Sequence, residues 1–205
     1  MPLPPWRARL GSLLAIVLLA AGCSSDPVQN DQQVLAALRE YRASKDRAFA
    51  SNESPIPPDR RSTLLPLAYF EPSLEYRVPA VLRPSPERPA LEMPTSTGKL
   101  RKMVRVGRLE FTLQGRPLTL GAFVDAGSRD LSRLFVPFTD HTSGTETYRA
   151  GRYLDLDRTA TGLYEIDFNR AYHPFCYYNP AYDCPYPPRE NRLVIPIHAG
   201  ERMKS

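Results

Sequence analysis

The stretch "RVGRLEFTLQGRPLTLGAFVD", Arg105 to Asp125, sets the architecture. Leu109, Phe111 and Leu113 alternate with charged or polar residues, and Leu118, Leu120 and Ala122 do the same after Gln114-Gly115. Successive side chains of a strand point to opposite faces, so a period of two marks a half-buried strand on each side of the glycine. A turn at Gln114-Gly115 sets Phe111 against Leu118 and Leu109 against Leu120, so both strands bury the same face. The stretch is therefore predicted to be a hairpin with one buried face.

Beyond the hairpin, the same alternation recurs in short segments bounded by turn residues. Strands are expected over Tyr76 to Leu82, Ala90 to Met93, Leu100 to Val106, Leu134 to Phe138, Arg152 to Leu156, Leu163 to Phe168 and Leu193 to Ile197. This pattern predicts a mainly β protein, a single β-sandwich or barrel-like domain of short antiparallel strands. Proline makes up 22 of 205 residues, about twice the usual ~5%. It gathers in Pro55 to Pro66, Pro79 to Pro94 and Pro174 to Pro196, which excludes long helices beyond residue 55. One N-terminal amphipathic helix precedes those runs. Asp26-Pro27 offers an N-cap and a first-turn proline, Val34, Leu35, Leu38, Tyr41, Ala48 and Phe49 recur at nearly helical spacing, and Ser51-Asn52 ends it. Its stripe is expected to dock on the domain, with Arg42 and Asp46 largely off it.

The first residues speak to address. "MPLPPWRARLGSLLAIVLLAAGC" has a basic start, an apolar run from Leu10 to Ala21 and small residues before Cys23, the layout of a secretory signal. The run is shorter than the ~20 residues of a spanning helix. Leu19-Ala20-Ala21-Gly22-Cys23 resembles the bacterial lipobox, although Ala20 stands where leucine is commoner; it implies cleavage before a lipidated Cys23. Ser24 in place of aspartate directs such a protein to the outer membrane, facing the periplasm. The expected organisation is a signal peptide over 1–22, a lipid-attached linker and helix over 23–55, and the β domain over 56–205.

The formal net charge is +5, with basic residues scattered and two of them in the signal. Nucleic-acid binding needs a basic stripe, so that class is excluded. The partners to expect are a membrane, through the lipid anchor, and a small anionic ligand or an envelope protein.

Two segments carry a family resemblance. "FVPFTDHTSGTETYRAGRYLD", Phe135 to Asp155, and "DFNRAYHPFC" with a second cysteine and "PPRENRL", between Asp167 and Leu193, resemble the bacterial domain-of-unknown-function family DUF1684. The likeness is expected over Tyr41 to Arg202. It implies no activity, cofactor or catalytic residue. His173 departs from the pattern, which has asparagine there, and this argues against histidine-dependent chemistry.

The candidate chemistries are few. Ser143, His173 and Asp167 could be written as a triad, but "TSGTE" lacks the elbow that exposes a nucleophile. Asp155 with Asp157, and Glu165 with Asp167, share strand faces as solvated acids do. Cys176 and Cys184 form an even pair, and in an oxidising compartment a disulfide between them is the favoured state, contributing about 2 to 3 kcal/mol. Unpaired thiols, or a metal held with His173, are the rival states; no zinc motif is present, and neither metal nor cofactor is expected. The remaining polar residues are Asp140, Thr142, Ser143, Thr147, Tyr148, Arg152, Tyr153, Asp167, Asn169 and Tyr172. They read either as a buried hydrogen-bond network or as a pocket in which Arg152 grips an anion and the tyrosines supply flat apolar surface. A binding or structural module follows from both. The alternative is an envelope enzyme acting at Arg152 and Asp167.

Overall fold

A computed structural model describes residues 27–127 and 132–204. Helix α1 spans Pro27–Ala50 and short helix α2 spans Arg61–Leu64. The strands are β1 (Arg77–Pro84), β2 (Ala90–Pro94), β3 (Leu100–Leu113), β4 (Arg116–Asp125), β5 (Arg133–Phe138), β6 (Arg152–Asp157) and β7 (Leu163–Asp167), followed by helix α3 (Phe175–Tyr178). The fold is mainly antiparallel β, as the alternation predicts. The N-cap Asp26, the signal segment and Cys23 lie outside the described residues.

The central hairpin forms in the predicted register, with Phe111 opposite Leu118 and Leu109 opposite Leu120. Gln114 and Gly115 have φ of 51° and 73°. Two successive positive φ values make the turn whose twist matches that of paired strands, and glycine accepts one of them without steric cost. The expected strand over Leu100 to Val106 is not separate. It runs straight into the hairpin as one 14-residue strand, whose register shifts between Arg105 and Gly107. Such a bulge bends a strand, and β3 accordingly changes partner along its length, pairing first with β2 and then with β1.

The sheet order is β6-β5-β4-β3-β1-β7, with β2 beside β3. It curls until its two edges nearly meet. Inner-face residues from both edges, Leu154 and Leu156 on β6, Tyr164 and Ile166 on β7, share one core with Leu109, Phe111, Leu120 and Val136. Tyr172 bridges back to Tyr153 on β6 through two backbone hydrogen bonds of 2.8 and 3.0 Å, tying the edges together at one end. Elsewhere a cleft of about 620 Å³ separates β6 from β7, and Val34, Leu38 and Tyr41 of α1 stand over it.

Leu193 to Ile197 is not a ladder strand. Leu193, Ile195 and Ile197 are buried in the core, as alternation implies, but the Leu193 amide donates to Thr139 O and the Ile197 amide to the Asp140 carboxylate. A single parallel bridge between Thr139 and Arg192 at one end and side-chain capture of Ile197 at the other stand where a ladder was expected, and Pro196, without an N–H, cannot propagate one.

Helix α1 docks through its polar residues as well as its stripe. Leu38 and Phe49 are buried, while Ala48 faces solvent. Arg42 donates to Phe70 O at 3.0 Å, Asp46 accepts from the Leu67 amide at 2.8 Å, and Lys45 meets Glu201 at 2.5 Å. Among the described residues, no helix is long and apolar enough to cross a membrane.

Candidate functional site

Arg152 opens β6, and the chain reaches it through Gly151 at φ +90°, where a Cβ would lie 2.3 Å from Phe138 O. Only glycine fits that approach. The arginine side chain is 0% exposed. Its Nη1 donates to Ala199 O and Glu201 O, and its Nη2 to Asp140 Oδ2 at 3.0 Å and Ile197 O at 2.8 Å. Asp140 Oδ1 in turn accepts from the Thr142 amide and hydroxyl at 2.7 and 2.6 Å, and Thr142 meets Thr147 at 2.9 Å. Burial pushes the guanidinium below its ordinary value, and the Asp140 carboxylate opposes this. With every Nη proton engaged and the unpartnered Nε enclosed in the core, Arg152 presents no donor to an external anion. The residues on it are a buried network.

The rest of the expected cluster divides. Ser143 stays beside the network, its Oγ accepting from the Asp140 amide at 3.1 Å. Asp167 and Asn169 form a separate local lock: Asp167 accepts from the Asn169 amide and side chain, and Asn169 exchanges two hydrogen bonds with the Ser73 backbone. The Ser143, His173 and Asp167 side chains are not assembled into a relay. Tyr148, Tyr153 and Tyr172 join instead around the cysteines.

A second buried network involves Glu201, which sequence reasoning missed. Glu201 is 1% exposed and receives Lys45 Nζ at 2.5 Å, the Tyr178 hydroxyl at 2.5 Å and the His173 amide at 2.7 Å. Burial alone would raise its carboxyl; the attraction of Lys45 and these hydrogen bonds prevail and hold it below the ordinary value. Burial presses the His173 ring down to about 4. The ring is neutral, since Nε2 accepts the Tyr148 amide at 3.2 Å and needs its lone pair to do so. Among the described residues no cluster of three metal-ligating side chains forms.

Cys176, on α3, and Cys184 come together under the proline-fenced loop, 7% and 6% exposed. The expected disulfide is not formed in the structure: both are free thiols. The Cys176 amide donates to Cys184 Sγ at 3.2 Å, and both thiols pack in one cluster with Tyr153. A hydrogen bond from Cys184, opposed by burial and aided by the Ser96 and Tyr148 hydroxyls, pulls the Cys176 thiol down to about 6, and Cys184 rises correspondingly. Beside the pair lies a solvent-open pocket of about 290 Å³ with Cys184 in its wall. Phe135, Tyr153, Tyr172, Phe175 and Tyr182 supply its rings. The Tyr153 hydroxyl is spent on Pro185 O and that of Tyr172 on Asp155, so both rings present apolar surface. Arg101, Asp125 and Asp183 are its charged residues.

Fold and site together define a nearly closed antiparallel β domain with two buried polar networks and an aromatic pocket over a thiol pair. Residues 63–202 match the family described as "Protein of unknown function (DUF1684)", and the chain belongs to that family. The match begins at Thr63, so the α1 residues from Tyr41 onward that the resemblance was expected to include lie outside it. Among solved structures, the chain is similar to the solution NMR structure of an uncharacterized protein from gene locus rrnAC0354 of Haloarcula marismortui. The two are 36% identical, with a TM-score of 0.68, over 85% of this chain and 97% of that one. The comparison with curated proteins gave no match.

Proposed function

We propose that the protein is an outer-membrane lipoprotein, anchored through acylated Cys23 and facing the periplasm, that serves as a small-molecule binding module. The lipobox-like end of the signal supports the address. One observation carries the binding reading: the aromatic pocket of about 290 Å³ is open, whereas the Arg152 cluster is filled. That volume lies at the lower end of the ~300–1,000 Å³ of small-molecule sites, which pair apolar walls with a few polar groups. Its rings suit a flat apolar body, and Arg101, held in the wall by the Asp183 carbonyl at 3.1 Å and its carboxylate at 3.6 Å, brings the positive charge that suits an anionic substituent. The enzyme reading gains nothing from the geometry, because Arg152 and Asp167 belong to separate locks.

Mass spectrometry of protein extracted from membranes in mild detergent tests both parts. Under denaturing conditions the mass should show loss of residues 1–22 and an acylated Cys23, and Cys23→Ala should be unprocessed or released from the membrane. Under native conditions an additional ligand mass should accompany the wild type and disappear from Phe175→Ala/Tyr182→Ala, which alters two exposed rings of the pocket. Recovery of Cys23→Ala in the outer-membrane fraction at wild-type mass sinks the anchor. A wild type with no retained ligand, or retention unchanged in the double variant, sinks the pocket.

A further inference from the structure

We propose that Cys176 and Cys184 are a redox-active dithiol that exchanges with low-molecular-weight disulfides entering the aromatic pocket. This goes beyond the binding reading, since it requires only that Cys184 be reachable through the pocket and not that the pocket hold a resident ligand.

Three observations converge. The two thiols share one buried cluster and are tied by the Cys176 amide at 3.2 Å from Cys184 Sγ; the hydrogen bond with Cys184 pulls the Cys176 thiol down, so the pair loses one proton readily and shares the other. Donors meet both: the Cys176 amide points at Cys184 Sγ at 3.2 Å, and Tyr148, packed against the pair, brings its hydroxyl to Cys176. The third is access, because Cys184 lines an open pocket although the pair is otherwise enclosed. An inert staple needs neither the donors nor the opening. The groups facing the pair from neighbouring elements are Arg101 on β3, whose charge favours the thiolate, Tyr153 on β6, and Tyr148 with its neighbours Arg149 and Tyr186. The tyrosines Tyr148 and Tyr153 are held protonated by burial, with the thiols adding to the effect.

The reaction balances with the external disulfide, RSSR, as sole oxidant. The Cys184 sulfur attacks one sulfur of RSSR as the shared proton passes to Cys176; a Cys184–SR bond forms, the R–S–S–R bond breaks and RS⁻ leaves. Cys176 Sγ then attacks Cys184 Sγ, the Cys184–SR bond breaks, and the second RS departs with the Cys176 proton. The singly protonated pair and RSSR become an intramolecular disulfide, RSH and RS⁻, with two electrons passed to the external sulfurs. Because Cys176 is already ionised at neutral pH, it takes the Cys184 proton as that sulfur attacks, and exchange proceeds where an ordinary thiol pair is mostly protonated and slow.

The test uses the full chain in detergent with hydroxyethyl disulfide as probe, acid quenching, maleimide trapping and intact mass. The folded wild type should lose both titratable thiols together without accumulating adduct, and dithiothreitol should restore them without unfolding. Cys176→Ser should accumulate a single mixed disulfide on Cys184, because the resolving sulfur is gone. Tyr148 is a positioning residue here, so the pH–rate profile is its readout. The wild-type midpoint should fall near 6, and Tyr148→Phe should move it upward, slowing exchange below the midpoint about tenfold for each pH unit it moves. Thiols that react only in denaturant overturn the proposal, as does a bond that dithiothreitol cannot reduce in the folded protein. A Tyr148→Phe profile superimposable on the wild type overturns the arrangement of donors.

Discussion

Replacing His173 by asparagine should flatten the acid limb of the stability curve. The ring is 1% exposed, and its Nε2 is the acceptor of the Tyr148 amide. A proton there would end that hydrogen bond and bury a charge. Glu201, 3.8 Å from Nδ1, offsets part of the cost, yet the folded value is pressed from 6.5 to about 4. Above pH 6.5 neither the folded nor the unfolded chain carries the proton, and the contribution to stability is complete. Between 6.5 and 4 the unfolded chain binds a proton that the folded one refuses, so stability falls as pH falls. Each tenfold difference in proton affinity between the two states is about 1.4 kcal/mol, and the interval gives a total loss of about 3 kcal/mol, level again below pH 4. An asparagine carbonyl, the residue of the family pattern, can accept the same amide without titrating. Urea denaturation of both proteins at pH 7, 6, 5 and 4.5 reads the difference. Glu201 keeps Lys45 and Tyr178 in the variant, losing only the attraction of a charged His173 ring, and its depressed carboxyl acts mainly below its ordinary value of 4.5, so its slope is largely common to both curves. Parallel curves across this range refute the reasoning.

Phe111→Ala, which truncates a side chain packed on Phe168 inside the barrel, should cost about 3 to 5 kcal/mol, while exposed Thr112→Ala should stay within ~0.5 kcal/mol; equal losses in urea titrations contradict the register. Arg152→Met leaves the Asp140 carboxylate buried without its cation and should cost about 3 to 5 kcal/mol. Adding Asp140→Asn should recover part of that loss, and additive losses in the double-mutant cycle exclude coupling between them.

The hairpin is legible because its information is local: alternation and a turn dipeptide lie within one stretch, and the register follows. The long β3 strand reads as two, since its bulge offsets the alternation between Val106 and Leu109 and looks like a break. Leu193 to Ile197 carries a strand's alternation but not its pairing; burial pattern reports on the core and says nothing of where the amides go. At the site, the segments carrying Arg152 and the cysteines stand out by composition, while the identity of each residue's partner does not. Asp140 lies close to Arg152 in sequence, yet the carbonyls of Ile197, Ala199 and Glu201 that complete its shell have no side-chain signature. Glu201 itself follows a glycine near several ordinary polar residues, and only the approach of α1 reveals it. Asp46 reads as a solvent-facing residue for the same reason.

The span of the buried networks bears on how this chain can fold. Lys45 and Glu201 are 156 positions apart, and Arg152 reaches acceptors 45 to 49 positions ahead of it. Chain entropy must be surrendered before such distant pairs meet, so non-local contacts of this kind slow the search for the native state. The central hairpin can form early from its own sequence. Arg152, however, has only Asp140 to answer it until the carbonyls of residues 197–201 arrive, and those residues are themselves steadied by α1. A fragment ending before residue 197 thus leaves three of the four Nη hydrogen bonds of Arg152 unmade at the heart of its sheet, and closure is expected as a single late, cooperative event involving both ends of the folded segment.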